Sequence, residues 1–361
     1  MPTIRNSAFA SLFLAILFAL GCNSSNNQPA QQPIIGAGST FINPAMTHWI
    51  ADFQGKHPGV QINYQSIGSG GGIQQLKKGL VDFGASDAAL DDQQLKEMPP
   101  LVQIPESAGP VCITYNLPEL KMPLKLSGTT LAGIYLGQIK NWQDPALKKD
   151  NPGVTLPSTP IAVAHRSDGS GTTNIFTTYL AAVSPGWEKK VGKGIAVSWP
   201  VGEGGKGSEG VTGVVKQTPG SIGYVELSYA TENKLPVALI RNQAGEWVEP
   251  TAAAATAAID AFHDQLAQDV RTPVVNPPSS AKDAYPISGL TYLLVPKQGK
   301  SPAREQTVKD FVEYIITDGQ SAAASLQYSK LPQTLAQQDQ KLLAEIPGGG
   351  QQTAGSQGSG Q

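Results

Sequence analysis

Cysteine is almost missing: the 361 residues include two, Cys22 and Cys112. That excludes a disulfide-dense scaffold and any cysteine-rich zinc or iron–sulfur site. Charge is scarce as well. Only 15% of residues are charged, the net charge is −2 and the pI is near 6.1. The overall basic footprint of a nucleic-acid binder is therefore absent. The four histidines, His48, His57, His165 and His263, have no metal-ligand spacing. No G-x-S-x-G nucleophile motif occurs, since Ile67 and Asp168 stand two places before Ser69 and Ser170. The apolar run Ala8 to Leu20 has 13 residues, short of the roughly 20 that span a bilayer.

What is present begins with that run. Arg5 precedes it, no acid does, and it ends at Ala19-Leu20-Gly21-Cys22. A positive start and a short apolar core predict a secretory signal over residues 1–21. A small residue before Cys resembles the bacterial lipobox, although Ala19 stands where Leu is usual. The resemblance implies cleavage before Cys22 and lipidation of its thiol. Residues 22–32 are rich in Asn, Ser, Gln and Pro, the composition of a flexible tether. Residues 347–361 are Gly/Gln/Ser-rich and predict a disordered tail. Cys112 lies in the apolar run Val111-Cys112-Ile113 and reads as a buried structural thiol.

Between tether and tail, strand and helix signals alternate. Ile34-Ile35 opens a strand, and Met46, Trp49, Ile50 and Phe53 share one helical face after Pro44. Val60, Ile62 and Tyr64 alternate as a strand. Ile73, Leu76 and Leu80 mark a second helix, and Val81 to Ala85 a third strand. This βαβαβ rhythm predicts an α/β domain with a largely parallel sheet. Two turn-rich crossings, Pro105 to Pro110 and Ala281 to Pro286, are candidate hinge strands.

Three times a strand ends in a Gly/Ser/Thr turn that feeds a helix: at Gly36 to Phe41, Gly68 to Gly72, and Asp168 to Thr172. Each helix start carries free N–H groups and about half a positive charge. Glycine admits an anion close to the backbone, and hydroxyls add donors. One such turn is usually a mere connection; three can converge on one small anion. Gly202 to Gly207 matches G-x-G-x-x-G by letter, but Trp199-Pro200 precedes it, and it reads as a loop. Leu294 occupies the first glycine position of a P-loop ending at Lys300-Ser301.

The wording of the turns is more specific. Gly36-Ala37-Gly38-Ser39-Thr40-Phe41, Asn63 to Gly72, Val81-Asp82-Phe83-Gly84-Ala85-Ser86-Asp87 and Arg166-Ser167-Asp168-Gly169-Ser170-Gly171-Thr172 occur in that order. Together they resemble the phosphate-binding proteins (PstS family) of the bacterial high-affinity phosphate ABC transporter. The likeness continues through Ile134 to Trp142, Trp199 to Gly210 and Gly220 to Glu226, and covers roughly residues 33–335.

The resemblance implies a two-lobed α/β periplasmic-binding-protein fold (type II), hinged, with the ligand in the cleft. With the two crossings as hinges, lobe I is 33–107 and 284–346, and lobe II is 108–283. It implies inorganic phosphate as ligand, and ABC permease subunits with a cytoplasmic ATPase as partners. It implies membrane contact through the lipid only, a monomer, and no cofactor, metal or catalysis. Thr40 would give a hydroxyl, Phe41 its N–H, and Ser69 both. Arg166 would give its guanidinium, and Ser170, Gly171 and Thr172 hydroxyls or N–H groups. Asp87 would accept a hydrogen bond from the ligand.

The chemistry of these residues agrees. Arg166 offers a planar fork for an oxyanion. Asp168 pairs with it or serves as a turn residue. Asp87, if not simply a strand-end or N-cap acid, selects anions that carry a proton. Phosphate does near neutral pH and sulfate does not, while arsenate does too. An enzymatic reading finds no activated nucleophile or metal in the sequence.

Overall fold

The computed structural model describes residues 33–346 and Gly348. The signal segment, Cys22, the tether and nearly all of the tail lie outside the described residues. Eleven strands and fourteen helices follow in order among the described residues. The first third holds β1 (Ile34–Gly38), α1 (Asn43–Lys56), β2 (Ile62–Ser66), α2 (Ser69–Lys77), β3 (Phe83–Ser86), α3 (Asp92–Lys96) and β4 (Leu101–Tyr115). The middle holds β5 (Lys125–Leu126), α4 (Gly128–Tyr135), α5 (Pro145–Asp150), β6 (Ala162–Arg166), α6 (Gly171–Val183), α7 (Pro185–Lys190), β7 (Glu203–Gly205), α8 (Gly207–Gln217), β8 (Ser221–Glu226), α9 (Leu227–Glu232), β9 (Leu239–Arg241) and β10 (Trp247–Val248). The last part holds α10 (Ala252–Asp260), α11 (His263–Gln268), β11 (Ser288–Pro296), α12 (Pro302–Ile316), α13 (Gly319–Ser325) and α14 (Gln333–Ala344).

The main sheet has the order β2-β1-β3-β11-β4-β8-β6-β7. Its two flanks, β2-β1-β3 and β8-β6-β7, are parallel, as the βαβ rhythm predicts. Its centre is not: β11 runs antiparallel to β3 and β4, and β4 antiparallel to β8. β4 joins the two halves of a two-lobed fold. Residues Leu101 to Pro110 pair with β11, and Val111 to Tyr115 with β8. Pro105 to Pro110, read as a turn-rich candidate hinge strand, lies inside this one continuous strand. Pro105 sits at a register shift that leaves Glu106 as the extra residue between Pro105 and Ser107. A bulge tolerates proline, which cannot donate to the ladder. Ala281 to Pro286 does run through turns before β11.

Burial follows the apolar periodicity. Met46, Trp49 and Phe53 of α1 are fully buried and pack with Phe83 and Phe311. Leu80, expected on the inner face of the second helix, lies past the end of α2 and is 60% exposed. Ile259 of α10 and Leu266 of α11 share a cluster with Leu76, Leu290, Tyr292 and Leu335, so these helices pack on the β11 side of the sheet. A separate cluster of Val211, Val215, Val225 and Tyr229 fastens α8 and α9 to β6 and β8. Cys112 is a buried free thiol, as expected. Among the described residues no helix is long and apolar enough to cross a membrane.

Candidate functional site

The glycine turns meet. β1 ends at Gly38, and Ser39 to Ile42 lead into α1, whose second residue is Pro44. β2 leads through Gly68 (φ +84°) into α2 at Ser69. β6 leads through Asp168 and Gly169 into α6, capped by Ser170, whose hydroxyl accepts the Thr173 N–H at 3.0 Å. The second and third turns touch directly: Gly70 N–H donates to the Gly169 carbonyl at 3.0 Å, and Gly171 N–H to Ser69 Oγ at 3.1 Å. The approach leaves no room for a side chain. A Cβ on Gly171 would stand 2.6 Å from both Asp87 Cβ and Ser69 Oγ, and one on Gly68 2.3 Å from Asp168 Oδ2.

Asp87 sits where these turns converge, just beyond β3 and 4% exposed. The Ser39 hydroxyl donates to one carboxylate oxygen, and Thr172 Oγ1 donates to the other at 3.2 Å. Its own N–H donates to Ser69 Oγ at 3.2 Å. Burial pushes its pKa up to about 6, against the pull of the Ser39 hydroxyl and the Arg166 charge. Arg166 is 3% exposed, and its Nε and Nη2 form a two-pronged pair with Asp168 at 2.8 and 2.5 Å. Burial works to raise Asp168, but the Arg166 bonds and charge prevail and hold its carboxyl below the usual range. The pair engages two of the five guanidinium donors. Asp168 also accepts the Gly207 N–H at 3.0 Å, so it pairs with Arg166, as one reading expects, and also ties that pair to the start of α8.

The structure brings the predicted ligand residues together: Thr40, Phe41, Ser69, Asp87, Arg166, Ser170, Gly171 and Thr172 are buried neighbours, with Asp168 half-buried beside Arg166. It also adds residues that sequence reasoning missed. Gly204-Gly205-Lys206-Gly207-Ser208 is a fourth glycine turn feeding a helix, α8. Ser208 is buried, donates its N–H to Thr40 Oγ1 at 3.2 Å and lies 2.9 Å from it by its hydroxyl. The segment reads as a loop in the sequence, although the rule of a glycine and hydroxyl turn before a helix applies to it too. Ser39 was overlooked beside Thr40. His165 is structural: it stacks on Trp199 (centroids 4.8 Å, 12°), and its Nδ1 lies 3.0 Å from the Arg166 carbonyl. Among the described residues no cluster of three or more His, Cys, Asp or Glu could hold a metal ion.

The model of the PBP superfamily domain matches residues 23–319. The chain is 43% identical over 321 residues to the phosphate-binding protein PstS of Xylella fastidiosa (strain Temecula1), covering 88% of this chain and 87% of that one. It is 40% identical to PstS of Pasteurella multocida, covering 91% and 94%. The chain belongs to the PstS family. A phosphate ABC transporter substrate-binding protein from Clostridium perfringens, solved with bound phosphate, shares its fold at a TM-score of 0.60 and 19% identity, covering 83% of this chain and all of that one. In this PstS family member Ser69, Ser170, Gly171, Thr172 and Ser208 thus stand at helix starts, where the backbone favours an anion.

Proposed function

We propose that this protein is an extracytoplasmic receptor that captures inorganic phosphate between its two lobes and delivers it to an ABC import permease driven by a cytoplasmic ATPase. The lobes are 33–107 with 284–346, and 108–283, with α10 and α11 resting on the first. Export by the N-terminal signal and a lipid on Cys22 hold it at the membrane; the mass of the exported protein tests the anchor. The protein acts as a monomer and performs no chemistry on its ligand.

One observation carries this reading: the Ser39 and Thr172 hydroxyls bond one buried carboxylate, Asp87, Ser69 at the start of α2 holds its backbone, and the start of α8 is bonded to Thr40, with the single guanidinium of Arg166 in the same cluster. Neutral donors dominate, so the site suits an anion of low charge that brings a proton of its own. Asp87 accepts that proton in a charge-assisted hydrogen bond, a contribution of about 1.5–3 kcal/mol. Sulfate offers no proton and meets Asp87 as a like charge. Closure then excludes water and strengthens each contact. Membership in the PstS family, whose relatives are phosphate-binding proteins, supports this reading.

Calorimetry with phosphate and sulfate tests it. Wild type is expected to bind phosphate and reject sulfate, and Asp87→Asn to lose discrimination against sulfate more than affinity for phosphate. Wild type that binds neither anion would defeat the receptor reading. Unchanged sulfate rejection in Asp87→Asn would defeat the proton-acceptor role. Arsenate in the same cell measures how far the site tells apart two anions that both carry a proton.

A further inference from the structure

Three consecutive carbonyls of the first turn are held by three tyrosine hydroxyls. Tyr64 donates to Ser39 O at 2.8 Å, Tyr229 to Thr40 O at 2.6 Å and Tyr328 to Phe41 O at 2.6 Å. In a trans peptide the N–H points opposite to the carbonyl of the same unit. Holding these carbonyls therefore turns the N–H groups of Thr40, Phe41 and Ile42 to the other side, and the last reaches Ser39 Oγ at 3.4 Å. The Phe41 N–H is one that the phosphate reading assigns to the ligand.

The three tyrosines are not equivalent. Tyr64 lies in β2, paired with β1, in the same half of the fold as the turn it holds. Tyr328 follows α13, which packs against α1. Tyr229 stands on α9, fastened to α8 and β8 on the other side of the fold. Its bond to Thr40 spans the two halves. The same hydroxyl is 3.1 Å from Glu209 Oε1 on α8, in its own half. A phenol has one proton to donate, so Glu209 and the Thr40 carbonyl compete for it.

We propose that Tyr229 is a positioning residue and a latch. Its O–H turns from Glu209 to the Thr40 carbonyl as the halves close, aligning the Phe41 N–H on the bound anion and slowing release. No proton is transferred; a hydrogen bond changes acceptor. The inference rests on the phosphate reading above. A contact formed only on closure acts on dissociation, not on encounter.

Stopped-flow binding of inorganic phosphate to the full protein tests it, with the thermal midpoint of the ligand-free protein measured alongside. Tyr229→Phe is expected to release phosphate about tenfold faster, with the association rate within about twofold and the ligand-free midpoint unchanged. Glu209→Gln removes the charged competitor and is expected to slow release. Wild-type binding with an unchanged release rate in Tyr229→Phe overturns the latch alone. So does a Tyr229→Phe effect confined to association or to the ligand-free midpoint, or faster release from Glu209→Gln. Wild type that binds no phosphate overturns the receptor reading and the latch with it.

Discussion

Asp87 shows how a buried acid can be useful without being stable as an anion. Burial raises it to about 6, yet the Ser39 and Thr172 hydroxyls and the Arg166 charge keep it from rising further. Near neutral pH it is ionised and able to accept. As pH falls through about 6 it takes up a proton, which under the proposed role must leave before Asp87 can accept a hydrogen bond from the ligand. If one such proton is displaced on binding, phosphate affinity falls by about tenfold per pH unit below that point. Calorimetry between pH 5 and pH 7 reads the slope, and Asp87→Asn should lack it. A wild-type affinity flat across this range would count against ionised Asp87 as the acceptor. Arg166 is steadied at the same scale: Asp168 fixes its fork, and the Tyr224 hydroxyl accepts its backbone N–H at 3.1 Å.

At the scale of elements, four helix starts are brought within hydrogen-bond reach of one another because glycine stands at the contacts. Gly171 heads α6 and meets the end of β3 and the start of α2 from across the fold. An added methyl there would overlap Asp87 and Ser69 while leaving α6 itself intact. Overpacking of this kind costs about 1–3 kcal/mol, here only when the two halves are together. Gly171→Ala is therefore expected to weaken phosphate binding by about 10- to 100-fold, with little change in the melting of the ligand-free protein. Equal affinity for the two proteins would show that the contact is not part of the bound state.

At the scale of the molecule, three acids among the described residues are buried with an oxygen that has no hydrogen-bond partner: Glu106, Glu226 and Asp339. Burial pushes each up to about 8, from ordinary values of 4.5 for Glu and 3.8 for Asp. The folded protein then binds more protons than the unfolded chain between about pH 4 and pH 8. Stability is present in full at the acidic end of that window and declines as pH rises through it. The Arg166–Asp168 pair has the opposite sign and is lost only as pH falls below the ordinary carboxylate range. The thermal midpoint of the ligand-free protein is thus expected to be higher near pH 5.5 than near pH 8.5. Glu106→Gln should flatten part of that slope, and a midpoint that rises with pH would refute the account.

The sequence alone determined the local events. Glycine and hydroxyl residues at strand ends, Pro44 in a first helical turn and the apolar stripe Met46, Trp49 and Phe53 each act within a few residues, so the βαβαβ start and the predicted donors were legible. The tertiary structure decided what depends on a lateral partner. Pro105 to Pro110 reads locally as a turn-rich crossing, and it is the pairing with β11, followed by β8 from Val111 on, that makes it part of one 15-residue strand. Tyr64, Tyr229 and Tyr328 are 25, 189 and 287 positions from the carbonyls they hold. No periodicity encodes such a bond, because its partner is chosen by the packing of whole elements and not by neighbours along the chain.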